Sequence, residues 1–402
     1  VDRRFRSSLC LAGLVIVGVA VAAGRSEIAP TASTWTLSAK YSGPCAAVGS
    51  VVSSPHLRGG ELQAVAADAS DDAWAVGGPS LFQAGKRPTA LIEHWDGTRW
   101  AVVPSPAVAG VLESVAIAAP DDVWAVGELG TSSPGKVRGA SGRGVALAEH
   151  WDGAHWVRVR FHGLRRLSAV AATSARDVWM VGSGSAGSAG PAAAAVILHW
   201  DGERWTRNRR PSVELLSLSA LSPTDVWAVG DTSGGRFLEM HWDGRRWSSY
   251  TERAPNTKDG PDENPELTSV VASGSRDLWA GGDAGQSGEP AYPDTVLFHW
   301  DGTRWRKAPI QGNQWIYALT LRAPGDLWIA SGYGTGDAYS VPILEERAPK
   351  WPGIDLGHGQ IDGLSSDRTD GLWAVGFTGS RFDENLQYPH RTYPLIERVR
   401  CA

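Results

Sequence analysis

One unit recurs seven times along this chain of 402 residues, and the recurrence limits the fold more than any other feature. Aligned on Asp-x-Trp, the copies centre on Trp74, Trp124, Trp179, Trp227, Trp279 and Trp328, and on Trp373 with one extra residue after Asp370. An L-x-x-V-like segment precedes each Trp, from Leu62–Val65 in the first copy to Ile361–Leu364 in the seventh. Five copies continue into His-Trp-Asp-Gly-x-x-Trp, as in His94-Trp95-Asp96-Gly97 and Trp100. The repeat accounts for a lopsided aromatic usage of 20 Trp against 8 Tyr and 7 Phe.

Each copy reads as four short strands: L-x-x-V, D-x-W-A-V-G, an apolar run ending in His-Trp, and x-x-Trp-x-V. Asp-Gly between the last two predicts a two-residue type I′ hairpin, because Gly accepts positive φ. In that register Trp95 faces Thr98 and Glu93 faces Trp100, and both Trp rings share one side of the sheet. A four-stranded sheet of this size cannot bury both faces alone, so copies must stack around an axis. The expected fold is all-β: a seven-bladed β-propeller with blades starting near 61, 111, 166, 214, 266, 315 and 360. The third residue of each first strand is Ala64, Ser114, Ala169, Ser217, Ser269, Ala318 or Gly363. All are small, as crowding at the axis requires. Period-2 patterning excludes a helical solenoid.

The seventh copy ends after its third strand, Leu395–Val399. Val51-Val52-Ser53-Ser54-Pro55 matches Val102-Val103-Pro104-Ser105-Pro106, so the N-terminal strand is expected to complete the last blade. Cys45 then takes the place of Asp96, and Cys401 that of Gly97. These are turn positions of one interrupted hairpin, which predicts a Cys45–Cys401 disulfide in an oxidising compartment. Upstream, Arg3, Arg4 and Arg6 precede an apolar run from Leu9 to Gly24 with small residues at Ala20, Ala22 and Ala23. That layout predicts a secretory signal over residues 1–24, cleaved or kept as an anchor. A linker over 25–44 and the propeller over 45–402 follow, in a secreted or cell-surface protein.

The D-x-W-A-V-G strand followed by an apolar strand, a turn and Trp resembles the kelch repeat of galactose-oxidase-type propellers. Gly77-Gly78 and Gly281-Gly282 match its Gly pair. Trp-Asp and Asp-Gly-x-x-Trp are similar to fragments of WD and Asp-box repeats. The resemblance implies a propeller and carries no activity with it. The copper site of galactose oxidase needs a tyrosine–cysteine crosslink, whereas the expected disulfide uses both cysteines, so no cofactor is expected.

A net charge of −5 and a pI near 6.1 disfavour a nucleic-acid partner. Loop-length variation concentrates on the face holding the second turns and the blade crossovers, which marks that face for binding. There Arg381, Phe382, Asp383, Tyr388, His390 and Arg391 gather in one loop, beside Trp315 and Tyr317 of the sixth copy. Aromatics with arginines and carboxylates suit a glycan or a protein segment at the cell surface. The expected function is a non-catalytic binding or scaffold module. The alternative is a glycoside hydrolase or polysaccharide lyase using Glu345, Asp362 or Asp383. Residues repeated in every blade are expected to build the fold: His94 and its equivalents pack near Trp, and Asp72 and its equivalents cap turns. No metal site is expected, since neighbouring blades hold these His residues too far apart. Asp259, Asp262 and Glu263 form an acidic loop without EF-type spacing.

Overall fold

The computed structural model describes residues 34–36, 47–55, 59–79, 90–106, 110–130, 144–184, 194–210, 213–232, 235–253, 265–287, 292–310, 314–332, 342–345, 353–355, 359–367, 371–379 and 392–401. Six sheets are four-stranded antiparallel meanders, each formed by one copy of the repeat. In the first copy the strands are Gly60–Ala69, Asp72–Pro79, Leu91–Trp95 and Trp100–Val102. The first strand of each sheet packs on the first strand of the next, and the seventh sheet returns to the first. The result is an all-β propeller.

Both chain ends build the seventh sheet. Ala47–Val51 pairs antiparallel with Thr392–Cys401, with Gly49 opposite Val399 and Ala47 opposite Cys401. This is the register expected from the Val102 match. Val52 N–H donates to Ile396 O as Val103 N–H donates to Ile92 O. A further strand, Thr34–Thr36, adds to the outer edge, making this sheet five-stranded. Cys45 lies outside the described residues. Cys401 is placed as backbone only, so the disulfide expectation falls outside them too.

The third turn differs from the type I′ expectation. Trp95 pairs with Trp100 and Glu93 with Val102, so four residues form the turn. Asp96 Oδ1 accepts the N–H groups of Thr98 and Arg99 at 2.9 Å, which stabilises the wider loop. Gly97 takes positive φ, at 89°. A Cβ there would lie 2.9 Å from Asp71 Cβ, so the third turn packs directly on the first. The two Trp rings still share one side, with centroids 6.0 Å apart.

The tryptophans fill the gaps between blades. Trp74 meets Trp156 of the next blade edge-on at 5.3 Å. Trp124 meets Trp205 and Trp227 meets Trp305 in the same way, and Trp373 of the last sheet meets Trp100 of the first. Edge-to-face pairs of this kind add about 1 kcal/mol each beyond the area they bury.

The repeated Asp does more than cap a turn. Asp72 Oδ1 lies 2.9 Å from His94 Nε2, and the imidazole packs on Trp74 at 4.2 Å. Asp122–His150, Asp177–His199, Asp225–His241 and Asp277–His299 repeat the pair at 2.8–2.9 Å. In the third copy Asp177 also accepts from Trp179 Nε1 and Thr173 Oγ1. The seventh copy has Arg398 where the first five have His, opposite Trp373. Its guanidinium carbon lies 4.8 Å from the Trp373 ring centroid, and Nη2 bonds Asp367 at 2.9 Å and Ser70 O of the first blade at 3.1 Å. Asp367 therefore takes the structural role of the repeated Asp, and Asp370 lies outside the described residues. In the sixth copy Asp326 is neutralised by Arg322 from its own hairpin.

Candidate binding face

Every first strand carries a bulge where it emerges on the loop-rich face. The register slips between Leu62 and Ala64 in the first copy, and between the equivalent residues of the other six. The cross-strand register skips Gln63, Glu113, Ser168, Leu216, Thr268, Tyr317 and Asp362, all at one end of the blades. In six copies the Gly of W-A-V-G packs tightly against the bulge, and the sixth keeps its bulge with Ser331 in that place. A Cβ on Gly77 would sit 1.9 Å from Glu61 O, and one on Gly376 would sit 1.8 Å from Gln360 O.

Bulge residues and their neighbours stitch blade to blade. Arg166 of the third copy donates to Glu113 of the second through Nε at 2.8 Å and Nη2 at 2.6 Å. Burial opposes the Arg166 charge, but Glu113 beside it, with Glu214 and Glu128 near, holds its pKa above the ordinary value. Burial raises the Glu128 carboxyl, and repulsion from Glu113 adds to the rise. Thr268 Oγ1 donates to Ile316 O of the next blade at 2.6 Å, and within the seventh blade's own first strand Gln360 Nε2 donates to Asp362 Oδ1 at 2.6 Å. Deeper in, the small residues do more than avoid crowding. Ser114, Ser217 and Ser269 accept the N–H groups of Val170, Val270 and Leu319 of the following blades.

The ring of bulges is chemically uneven. The sixth copy contributes Trp315 and Tyr317, both half-buried, where other copies contribute Glu61 and Gln63, Val111 and Glu113, or Arg166 and Ser168. The two predicted aromatics therefore reach this face. Arg381, Phe382, Asp383, Tyr388, His390 and Arg391 lie outside the described residues, as do Asp259, Asp262 and Glu263. The carboxylates of the hydrolase alternative are not brought together. Asp362 belongs to a bulge on the loop-rich face, whereas Glu345 pairs with Trp328, toward the other end of its blade. Asp383 is outside the described residues. Among the described residues no group of three His, Cys, Asp or Glu side chains could hold a metal ion. No described helix is long and apolar enough to cross a membrane.

Sequence reasoning missed a set of buried glutamates between blades. Glu93 and Glu149 accept from Ser54 and Ser105, which lie on the crossovers entering their blades. Glu397 holds the equivalent position in the seventh sheet, and Glu239 lies buried in the fourth. Burial pushes Glu93 up to about 7 against the lowering bond from Ser54. It pushes Glu397 up to about 8, and Glu239, with Glu252 nearby, to about 8. The signal was in the sequence: a Glu inside an apolar third strand, with a Ser-Pro pair in the preceding crossover.

No family model matches the chain, and no curated protein does. Solved structures match over most of its length. YCF48 bound to D1 peptide is 14% identical with a TM-score of 0.53, covering 89% of this chain and 96% of that one. The RRP9 WD40 repeats are 12% identical with a TM-score of 0.54, covering 88% and 97%. The β-propeller domain of Cps50 (Swd1) from Myceliophteria thermophila is 11% identical with a TM-score of 0.52, covering 88% and 99%. The fold is the β-propeller. Likeness at this identity carries the architecture alone.

Proposed function

We propose that the chain is an exported, seven-bladed propeller that acts as a non-catalytic binding module and takes a protein segment on its loop-rich face. The observation that carries this reading is the chemical asymmetry of the bulge ring. Repeated residues are spent on Asp–His pairs and interblade Trp packing, whereas the bulges differ from copy to copy. Trp315 and Tyr317 offer an aromatic platform beside the acidic Asp362 of the next blade. Such a mixture suits a peptide carrying both apolar and charged side chains. A neighbour of the same fold, YCF48, is bound to a peptide, which supports the reading by analogy. A peptide library panned against the oxidised full chain tests it. Hits whose binding falls at least tenfold in Trp315→Ala or Tyr317→Ala support the site; hits indifferent to both changes, or binding confined to a glycan array, overturn it.

The kelch-like repeat, export and the Cys45–Cys401 bridge belong to the same reading. The pairing of Ala47–Val51 with Thr392–Cys401 runs the two ends of the chain alongside each other, which supports the bridge. Closing a loop of about 350 residues contributes roughly 4–5 kcal/mol in the chain-entropy model. Non-reducing peptide mapping that returned both thiols free would remove the bridge and leave the binding face untouched.

A further inference from the structure

The outer rim of the second and third blades has a charge opposite to that of the chain as a whole. From Trp156 to Arg210 there are nine arginines against three carboxylates, in a chain of net charge −5. Two of the three carboxylates are already engaged: Asp177 with His199, and Asp201 with Arg204. Six of the nine, Arg158, Arg160, Arg204, Arg207, Arg209 and Arg210, sit on the outermost strands, Trp156–Val159 and Trp205–Arg210, or just beyond them, while Arg165 and Arg166 lie on the first strand and Arg176 in the first turn. Among the described residues, Arg158, Arg160, Arg209 and Arg210 have no hydrogen-bonding or ionic partner. Nε of Arg158 and of Arg210 is buried without an acceptor.

Strand alternation separates these side chains into two sets. Trp205, Arg207 and Arg209 lie on the face turned toward the second blade, where Trp205 meets Phe161 edge-on at 5.1 Å. Arg207 reaches across and donates from Nη1 to His162 O at 3.0 Å, which fixes its guanidinium over the gap between the blades. Opposite stand Val159 and Phe161, packed against the same cluster, and Val157, 42% exposed. The gap is therefore a groove with an apolar wall and a guanidinium wall, flanked by the outer edge strand of a sheet.

We propose that this rim groove binds an extended acidic segment of a partner protein, laid along the outer edge of the Trp205–Arg210 strand. Arg207 and Arg209 are two residues apart, about 6.8 Å along a strand, the spacing of alternate side chains in an extended peptide. Carboxylates at alternate positions of the segment match them one to one on the side that faces Val157 and Phe161, and the residues between point to the opposite face. The unpaired edge of the strand offers main-chain N–H and C=O groups to a peptide, which a polysaccharide or nucleic acid does not use as a ladder.

The test uses the oxidised full chain and a fluorescein-labelled octapeptide of alternating Glu and Val, followed by anisotropy at low and moderate salt. Saturable binding is expected, weakened by salt and at least tenfold weaker in Arg207→Gln/Arg209→Gln. Arg207→Lys/Arg209→Lys should retain part of it, and Trp315→Ala should leave it unchanged. Circular dichroism shows whether the double variant keeps its fold; the single Arg209→Gln, at an exposed position, is the second reading of the same effect. Equal binding of the alternating Gln–Val octapeptide, an unchanged affinity in the folded Gln variants, or no binding at all would overturn the proposal. So would a sulfated polysaccharide that binds more tightly than the octapeptide at equal charge. Because Trp315→Ala reports on the loop-rich face alone, failure there and failure at the rim are separable.

Discussion

Glu397 puts a titratable group at the seam where the ring closes, and its consequence for stability can be worked out. It lies on the same side of its strand as Leu395 and Val399, within the apolar cluster shared with Trp328 and Ile361 of the neighbouring sheets. It is fully buried, and neither carboxylate oxygen has a hydrogen-bond partner. Burial lifts its pKa from 4.5 to about 8 in the folded protein. A carboxyl raised on folding favours the protonated native state. Its effect is absent below pH 4.5, and stability then falls as pH rises until the group ionises natively near pH 8. At 1.36 kcal/mol per unit the full interval sets an upper limit of about 5 kcal/mol, and relaxation of the surroundings reduces this to about 2–4 kcal/mol. Glu397→Gln keeps the volume and removes the ionisation. Urea unfolding followed by Trp fluorescence should give nearly equal midpoints for the two proteins at pH 4.5. At pH 8.5 the variant should be the more stable by about 2–4 kcal/mol. A constant difference across that range would refute the argument, because it would mean that Glu397 titrates alike in the folded and unfolded chains.

Other residues give outcomes of different kinds. Arg398→Met strands buried Asp367 and should cost about 3 kcal/mol; adding Asp367→Asn should recover part of it, read from the same unfolding midpoints. Gly127→Ala would bring a Cβ 2.0 Å from Val111 O and force the bulge open. We expect a loss of at least 3 kcal/mol or a collapse in soluble yield, compared with a neutral Ala154→Gly change in an exposed turn. Ser54→Ala removes the bond that lowers the Glu93 pKa, so ionising Glu93 becomes costlier. Its destabilisation should be larger at pH 8 than at pH 5, and equal losses at both would show that Ser54 acts by packing alone.

The repeat, the all-β ring and the strand completing the last sheet could all be read from the sequence, because period-2 patterning and a sevenfold match are local signals. The third turn was misread for a physical reason. Asp-Gly is compatible with both a two-residue and a four-residue connection, and the choice is made by Asp96 accepting two backbone N–H groups and by Gly97 packing on Asp71. The Asp–His pairs escaped notice because their members are separated by 16 to 28 residues in different copies. The bulges were hidden as well, since a register slip leaves no mark on apolar alternation except the Gly opposite it. Of the predicted site, Trp315 and Tyr317 reach the loop-rich face, while the hydrolase carboxylates Asp362 and Glu345 separate once the strand direction is known.

The departures from the repeat matter most for what the ring does. Where His becomes Arg398, the longer cation spans from Asp367 to Ser70 O and ties the last sheet to the first, a contact that imidazole is too short to make. Where the first strand acquires Trp315 and Tyr317, nothing in the packing between blades requires an aromatic, since other copies place Glu, Gln, Val, Arg or Ser there. Where the outer strand becomes Trp205-Thr206-Arg207-Asn208-Arg209-Arg210, the first-blade equivalent is only Trp100–Val102. A fold maintained by the repeated residues leaves such positions open to selection for contacts outside the ring. The first departure closes the structure, and the other two present unlike chemistry on separate surfaces, which is why the two proposed sites can be tested independently.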